Sequence, residues 1–319
     1  MNRGHRIALD YLGLVVGVVA WGSAFVAIRS AAAEMTPMTM ALFRLGIAAL
    51  FFLPLAIKHR HSATWRKIWG CKGYLLAMSV FGAAGYMFNM CIGLTYTTAT
   101  NAALINGINP IVTVFLAAAL ARVPVKRSAI LPLILSVAGA VILIWFKPSN
   151  TAASFSLNPG DLFFIVNIFM WAIFSVILIP FNNRLHWSIW GLFINLVGFV
   201  MLLLLVPWFP VSLEGVTLSS VIKISYVGLV CGGVATALWN NSISQLGIAV
   251  AALFNNLNPL SSVLFAMVFL HETMVGNQVL GAALILGSLI SYTLMDFLHY
   301  RKWQKNLPKP PNAPPADGA

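Results

Sequence analysis

The chain has 319 residues, 60% of them hydrophobic and 8% charged, with a formal net charge of +12 and a mean hydropathy of +0.89. A soluble domain carries about 25% charged residues, so this composition excludes an ordinary water-surrounded fold. The basic residues stand in short stretches between apolar runs rather than on one face, which excludes a nucleic-acid partner and reads as membrane topology.

A helix needs about 20 mainly apolar residues to cross about 30 Å of hydrocarbon. Runs of that length are predicted at about 9–28, 37–57, 73–94, 99–121 and 128–146, and a second five at about 161–180, 188–208, 221–243, 248–270 and 275–298. The first is flanked by Arg3, Arg6 and Ser30-Ala31-Ala32-Ala33, the outline of a secretory leader. Residues 11–28 are longer than a leader core and Arg29 lies where a cleavage region is neutral, so a retained span is expected. At the other end, Pro308, Pro310, Pro311, Pro314 and Pro315 mark 305–319 as a disordered, Pro-rich cytoplasmic tail. Cys71, Cys91 and Cys231 have neither metal-ligand spacing nor the pattern of a disulfide framework.

Loop charge gives the orientation, because Lys and Arg accumulate on the cytoplasmic side of short loops. With ten spans and the N-terminus inside, the cytoplasmic segments hold fifteen basic residues, from Arg3 and Arg6 through Lys58–Lys72, Arg122–Arg127 and Arg184 to the tail. The opposite side holds three, Arg29, Lys147 and Lys223, and Arg44 remains inside a span. Both termini are therefore expected in the cytoplasm.

An internal repeat organises the ten runs. Ala102-Ala103-Leu104-Ile105-Asn106-Gly107-Ile108-Asn109-Pro110 in the fourth recurs as Ala251-Ala252-Leu253-Phe254-Asn255-Asn256-Leu257-Asn258-Pro259 in the ninth, identical at six of nine positions. Trp21 matches Trp171, and Gly139 matches Gly287, at a similar offset. The expected architecture is an all-α polytopic membrane protein of ten transmembrane helices in two five-helix repeats, 1–147 and 158–300, around a central cavity. Five spans per half is an odd number, so the second half enters from the opposite face, an inverted repeat of the kind secondary transporters use for alternating access.

Trp21-Gly22-Ser23-Ala24-Phe25, Arg44-Leu45, the two Asn-Pro blocks and His271-Glu272 together resemble the EamA type of the drug/metabolite transporter superfamily, over about 10–298. The resemblance implies two inverted five-helix repeats around a central cavity, and the movement of small metabolites, often outward, across the bacterial inner membrane; the expected function is export of a small organic metabolite such as an amino acid or related compound. The family commonly has a Glu after the fourth span as well as the ninth. Here that region reads Ala121-Arg122-Val123-Pro124, so a symmetric acidic pair is not expected.

The Asn-Pro blocks lie about 10–15 Å into their spans, near the midplane. Asn106 with Asn109, and Asn255 with Asn258, are three apart and share a helix face. Pro110 and Pro259 free the carbonyls four residues earlier. Two readings stand: the amides line a substrate cavity, or they hydrogen-bond between helices and hold the bundle. Trp21, Trp171 and Trp239 lie inside spans, where an indole N–H needs a partner, whereas Trp65, Trp69, Trp145, Trp187, Trp190, Trp208 and Trp303 lie at span ends or in loops, where the ring suits the interface. Tyr86 with Asn89, and Trp239 with Asn240 and Asn241, form polar-aromatic patches that either line the cavity or pack the core.

Arg44 either snorkels to the outer interface or pairs with Glu272 to close an outer gate. Asp10 and Asp161 are expected as helix N-terminal charges. Gly13/Gly17 and Gly228/Gly232 permit close helix contacts in the first and eighth spans. No Gly-rich phosphate loop is present, no cofactor is implied, and the carboxylates and histidines are too dispersed for a catalytic or metal centre. The partners expected are a small-molecule substrate and membrane lipid, with no oligomeric state assigned. A receptor or scaffold without transport, or a lipid-modifying membrane enzyme, are the alternatives.

Overall fold

The computed structural model describes residues 3–121, 130–145, 158–181 and 184–246, and, in the last stretch, 254–255, 257–272, 276, 279–284, 286–288, 290–291 and 295. The expected proline-rich tail and the Ala121-Arg122-Val123-Pro124 loop, apart from Ala121, lie outside the described residues. Every regular element among them is helical: α1 (Arg3–Ala31), α2 (Pro37–Lys58), α3 (Trp65–Gly70), α4 (Lys72–Ser79), α5 (Gly85–Tyr96), α6 (Ala99–Asn106), α7 (Asn109–Ala121), α8 (Ile130–Trp145), α9 (Pro159–Phe181), α10 (Trp187–Leu205), α11 (Leu218–Tyr226), α12 (Thr236–Leu246) and α13 (Leu257–Phe269).

Local chemistry sets the starts. Thr36 accepts from the Thr39 amide ahead of Pro37, and Thr217 and Ser220 form a reciprocal capping box at α11. Among the described residues, six helices are long and apolar enough to cross a membrane: Leu9–Ala31, Pro37–Lys58, Lys72–Tyr96, Pro159–Phe181, Trp187–Leu205 and Leu218–Ser242. The other four expected spans contain helix that is shorter or interrupted among the described residues. The fourth is divided at Gly107-Ile108 into α6 and α7, where one unbroken helix is the simpler expectation from hydropathy. Pro110, which supplies no amide hydrogen, stands one turn past the end of α6.

The third and eighth spans share another irregularity. Each passes through a π-helical segment, Val80–Ala84 between α4 and α5 and Val227–Ala235 between α11 and α12. Packing repeats as well. α1 lies against α11, α12 and α13, while α9, its counterpart in the second half, lies against α4, α5, α6 and α7. α2 packs on α10 and on the 227–235 segment; α10 in turn packs on the 80–84 segment, and α6 packs on α13. Exchanging the halves maps this pattern onto itself.

Of the glycines whose spacing predicts close helix contacts, Gly17, Gly228 and Gly232 make them, whereas a Cβ at Gly13 would meet Leu238 and Ser242 only at an ordinary 3.5 Å. A Cβ at Gly17 would stand 3.0 Å from the Ala235 carbonyl oxygen, and one at Gly228 would stand 2.8 Å from Ile47 Cβ. The outer surface is apolar: Leu50, Phe115 and Leu204 are 68%, 68% and 69% exposed. Such a surface suits acyl chains rather than water. Inside, one buried cluster gathers α1, α2 and α5, another gathers α4, α9 and α10, and Trp21 packs against both.

Candidate functional site

A cavity of about 90 Å³ lies where the first four expected spans of each half meet. Its walls are aromatic and apolar, with Trp21 and Phe25 from α1, Tyr86 from α5, Trp171 and Phe174 from α9, Trp190 and Ile194 from α10, and Trp239 from α12. Its polar groups are Arg44, Asn106, Asn109, Asn195, Thr236, Asn240, Asn255 and Asn258. No Asp or Glu lines it among the described residues, and no cluster of three or more metal-ligating side chains occurs among them.

Trp21 is the hub of the wall. Its ring centroid is 5.7 Å from that of Trp171 and 5.0 Å from that of Trp239, and Tyr86 lies 5.4 Å from Trp171. These tilted and edge contacts fall in the favourable range for aromatic pairs. The Trp21 Nε1–H donates to the Cys231 carbonyl at 2.9 Å, and the same oxygen accepts from the Thr236 hydroxyl at 3.1 Å. Cys231 lies in the π-helical segment, where the altered ladder leaves a carbonyl for side chains of α1 and α12.

The asparagine blocks meet the cavity from opposite halves. Asn106 closes α6 and Asn109 opens α7, so the first pair spans the break; the Asn109 amide approaches Asn106 Oδ1 at 3.5 Å, and Thr113 donates to Asn109 Oδ1 at 3.2 Å. In the ninth span Ser262 donates to Asn258 Oδ1 at 3.1 Å and to its backbone oxygen at 2.8 Å.

Arg44 does not meet Glu272. Its Nη1 donates to Asn195 Oδ1 at 3.0 Å, and the guanidinium lies in the cavity wall. Glu272 instead accepts from the Ala99 and Thr100 amides at 3.1 and 2.9 Å, capping the N-terminus of α6. Across the same turn, Arg29 donates to the Leu94 and Thr95 carbonyls at 2.8 and 3.3 Å, at the C-terminus of α5. The turn between α5 and α6 is thus held by a cation on its carbonyl side and an anion on its amide side.

Asn89 does not line the cavity; its amide approaches Met170 Sδ at 3.2 Å. Asp161 is the N-terminal charge expected of it, accepting from the Asn158 amide at 3.1 Å and from the Thr97 hydroxyl at 3.1 Å. Asp10 is not, because α1 begins at Arg3; its carboxylate accepts from Asn241 Nδ2 at 3.1 Å. Trp190 corrects the interface assignment, being 1% exposed and part of the cavity wall. Asn195 and Thr236 are further polar cavity residues that sequence reasoning passes over. Trp65 and Trp208, by contrast, are exposed, as interfacial rings are.

A model described as the EamA-like transporter family matches residues 9–145 and again 158–294. The chain is 23% identical over 279 residues to an uncharacterized transporter, YyaM, of Bacillus subtilis (strain 168), covering 86% of this chain and 90% of that one. It is 24% identical over 270 residues to an uncharacterized transporter of Clostridium kluyveri, covering 81% and 84%. A solved crystal structure superposes with a TM-score of 0.68 at 18% identity, over 93% of this chain and 99% of the other.

Proposed function

The chain belongs to the EamA-like transporter family, and on that premise we propose that it is a secondary transporter that moves a small organic metabolite, such as an amino acid or a related compound, outward by alternating access. The proposed architecture is ten spans in two inverted five-helix repeats, with both termini in the cytoplasm and the chain in the bacterial inner membrane. The observation that carries the reading is the central cavity, lined by the same four spans of each half within a packing pattern that survives exchange of the halves. A site shared between two similar halves can open to either side as they trade conformations. At about 90 Å³ the cavity is smaller than the 300–1,000 Å³ or so of a metabolite pocket, which fits a contracted state that widens when one side opens.

The chemistry on the walls also argues against catalysis. Amides, indoles and one guanidinium bind and orient, and although Thr236 and Cys231 also line the cavity, no His, Asp or Glu stands beside them there as a base among the described residues. The test is export of a panel of amino acids and related metabolites from cells with and without the protein. One or more solutes should leave faster with it, and Asn106→Ala together with Asn255→Ala, at equal expression, should slow that export by about tenfold, as expected for one or two lost hydrogen bonds. Equal efflux of every solute with and without the protein overturns the transporter reading; unchanged kinetics in the double variant removes the asparagines from the site.

A further inference from the structure

We propose that the cavity recognises its solute through an anionic group, a carboxylate or a similarly small oxyanion seated on Arg44. The inference rests on the transporter reading and names the substrate class of the same site.

A guanidinium carries five N–H donors in a rigid fork. Arg44 uses one, from Nη1 to Asn195 Oδ1 at 3.0 Å, and its remaining donors have no acceptor among the described residues. The Asn195 amide is itself fixed, since its Nδ2 donates back to the Gly191 carbonyl at 2.8 Å, leaving Oδ1 aimed at Arg44. Gly232 provides the seat: a Cβ there would stand 3.2 Å from both Cζ and Nε of Arg44. The guanidinium is therefore positioned by its neighbours but not neutralised. Snorkelling would carry it away from the cavity, and Glu272 is committed to the α6 amides.

Two further donors surround the same space. Trp190 Nε1 and Asn240 Nδ2 are buried with no hydrogen-bond partner, and both residues line the cavity. The site thus has an excess of donors, a positive charge and no carboxylate of its own. An unpaired charge and unpaired donors in a low-dielectric interior are unfavourable, and a bound oxyanion would supply the opposite charge and the acceptor atoms that this lining lacks. The Trp21, Trp171 and Trp239 rings form the opposite requirement, an apolar surface. The solute that fits is a small acid with an apolar body.

Equilibrium binding to the purified full-length protein tests this through the intrinsic fluorescence of the cavity tryptophans. The probes are propionate and phenylacetate, their neutral amides propionamide and phenylacetamide, and the cation phenethylamine, at pH 7.5. At least one carboxylate should bind saturably and tenfold or more tighter than its amide and than the amine. Arg44→Gln should remove that preference, and Arg44→Lys should restore part of it. Equal or tighter binding of an amide or the amine overturns the inference, as does saturable binding by neither carboxylate, or full carboxylate affinity in a monodisperse Arg44→Gln protein. The comparison among probes uses the wild type alone, so a variant that misfolds does not decide the matter. Counterflow in proteoliposomes separates the two readings. Carboxylate binding without movement of any solute overturns transport and keeps the anion site, whereas movement of neutral or cationic solutes only overturns the anion site and keeps transport.

Discussion

Trp21 joins the halves through three contacts: the hydrogen bond to Cys231 and the rings of Trp171 and Trp239. The terms separate by substitution. Trp21→Phe keeps an aromatic ring and removes the N–H, while Thr236 still satisfies the Cys231 oxygen, so the loss is one hydrogen bond, about 1 kcal/mol. Trp21→Ala also empties the space between two clusters and should cost about 3–5 kcal/mol. Thermal unfolding in detergent should place Trp21→Phe close to the wild type and Trp21→Ala far below it; equal shifts would mean that ring packing is not what Trp21 supplies. Trp21, Trp171 and Trp239 were legible in the sequence because an indole inside an apolar run must find a polar partner or a wet cavity. Trp190 was not, because distance along a helix ignores where the cavity reaches, and this one extends toward the start of α10. Asn195 was hidden for another reason: an amide bonded to the carbonyl four residues back is ordinary helix chemistry, and only the Arg44 contact gives it a role.

At the scale of elements, hydropathy located helix in every expected span but not the irregularities that shape the site. A π-helical segment adds one residue to a turn and leaves the apolar count unchanged, so Val80–Ala84 and Val227–Ala235 carry no sequence signal of this kind. The break in the fourth span was partly legible, since Pro110 frees a carbonyl, but its position at Gly107-Ile108 depends on packing against α9 and α13. The start of α10 holds a different device. The His186 Nδ1 accepts from the Ser188 amide at 3.3 Å, which requires that nitrogen to be unprotonated, and its ring stacks on His59 with centroids 4.0 Å apart. His59 lies just beyond α2, so the stack joins the ends of two helices from different halves. Burial, and then the neighbouring His59, push the His186 imidazole below the ordinary histidine range. A base with a lowered folded pKa stabilises the fold fully above its unfolded value, about 6.5, and loses that contribution as pH falls through the lowered value. Acidification from pH 7.5 to 5 should therefore speed amide exchange in the first turn of α10, and His186→Asn, which can still cap, should abolish the dependence. An identical pH response in His186→Asn would assign it to another group.

For the molecule as a whole, composition established the membrane, and the Asn-Pro repeat established the duplication that the two family matches also describe. The sequence was explicit here because a 150-residue offset leaves identities that packing cannot erase. The relation between the halves is a further step, since parallel and inverted copies have the same hydropathy; only the odd span count and the loop charges distinguish them. The test follows from two equivalent loops. His61 follows α2 and Val211 follows α10, at an offset of 150 residues, and both are exposed. The native Cys71, Cys91 and Cys231 are buried, so single cysteines introduced at these positions would dominate labelling. With inverted halves and a cytoplasmic N-terminus, a membrane-impermeant maleimide should label Val211→Cys in intact spheroplasts and His61→Cys only after lysis. The opposite outcome would keep the inversion and reverse the orientation. Labelling of both from one side would make the halves parallel and remove the physical basis for alternating access through exchange of equivalent conformations.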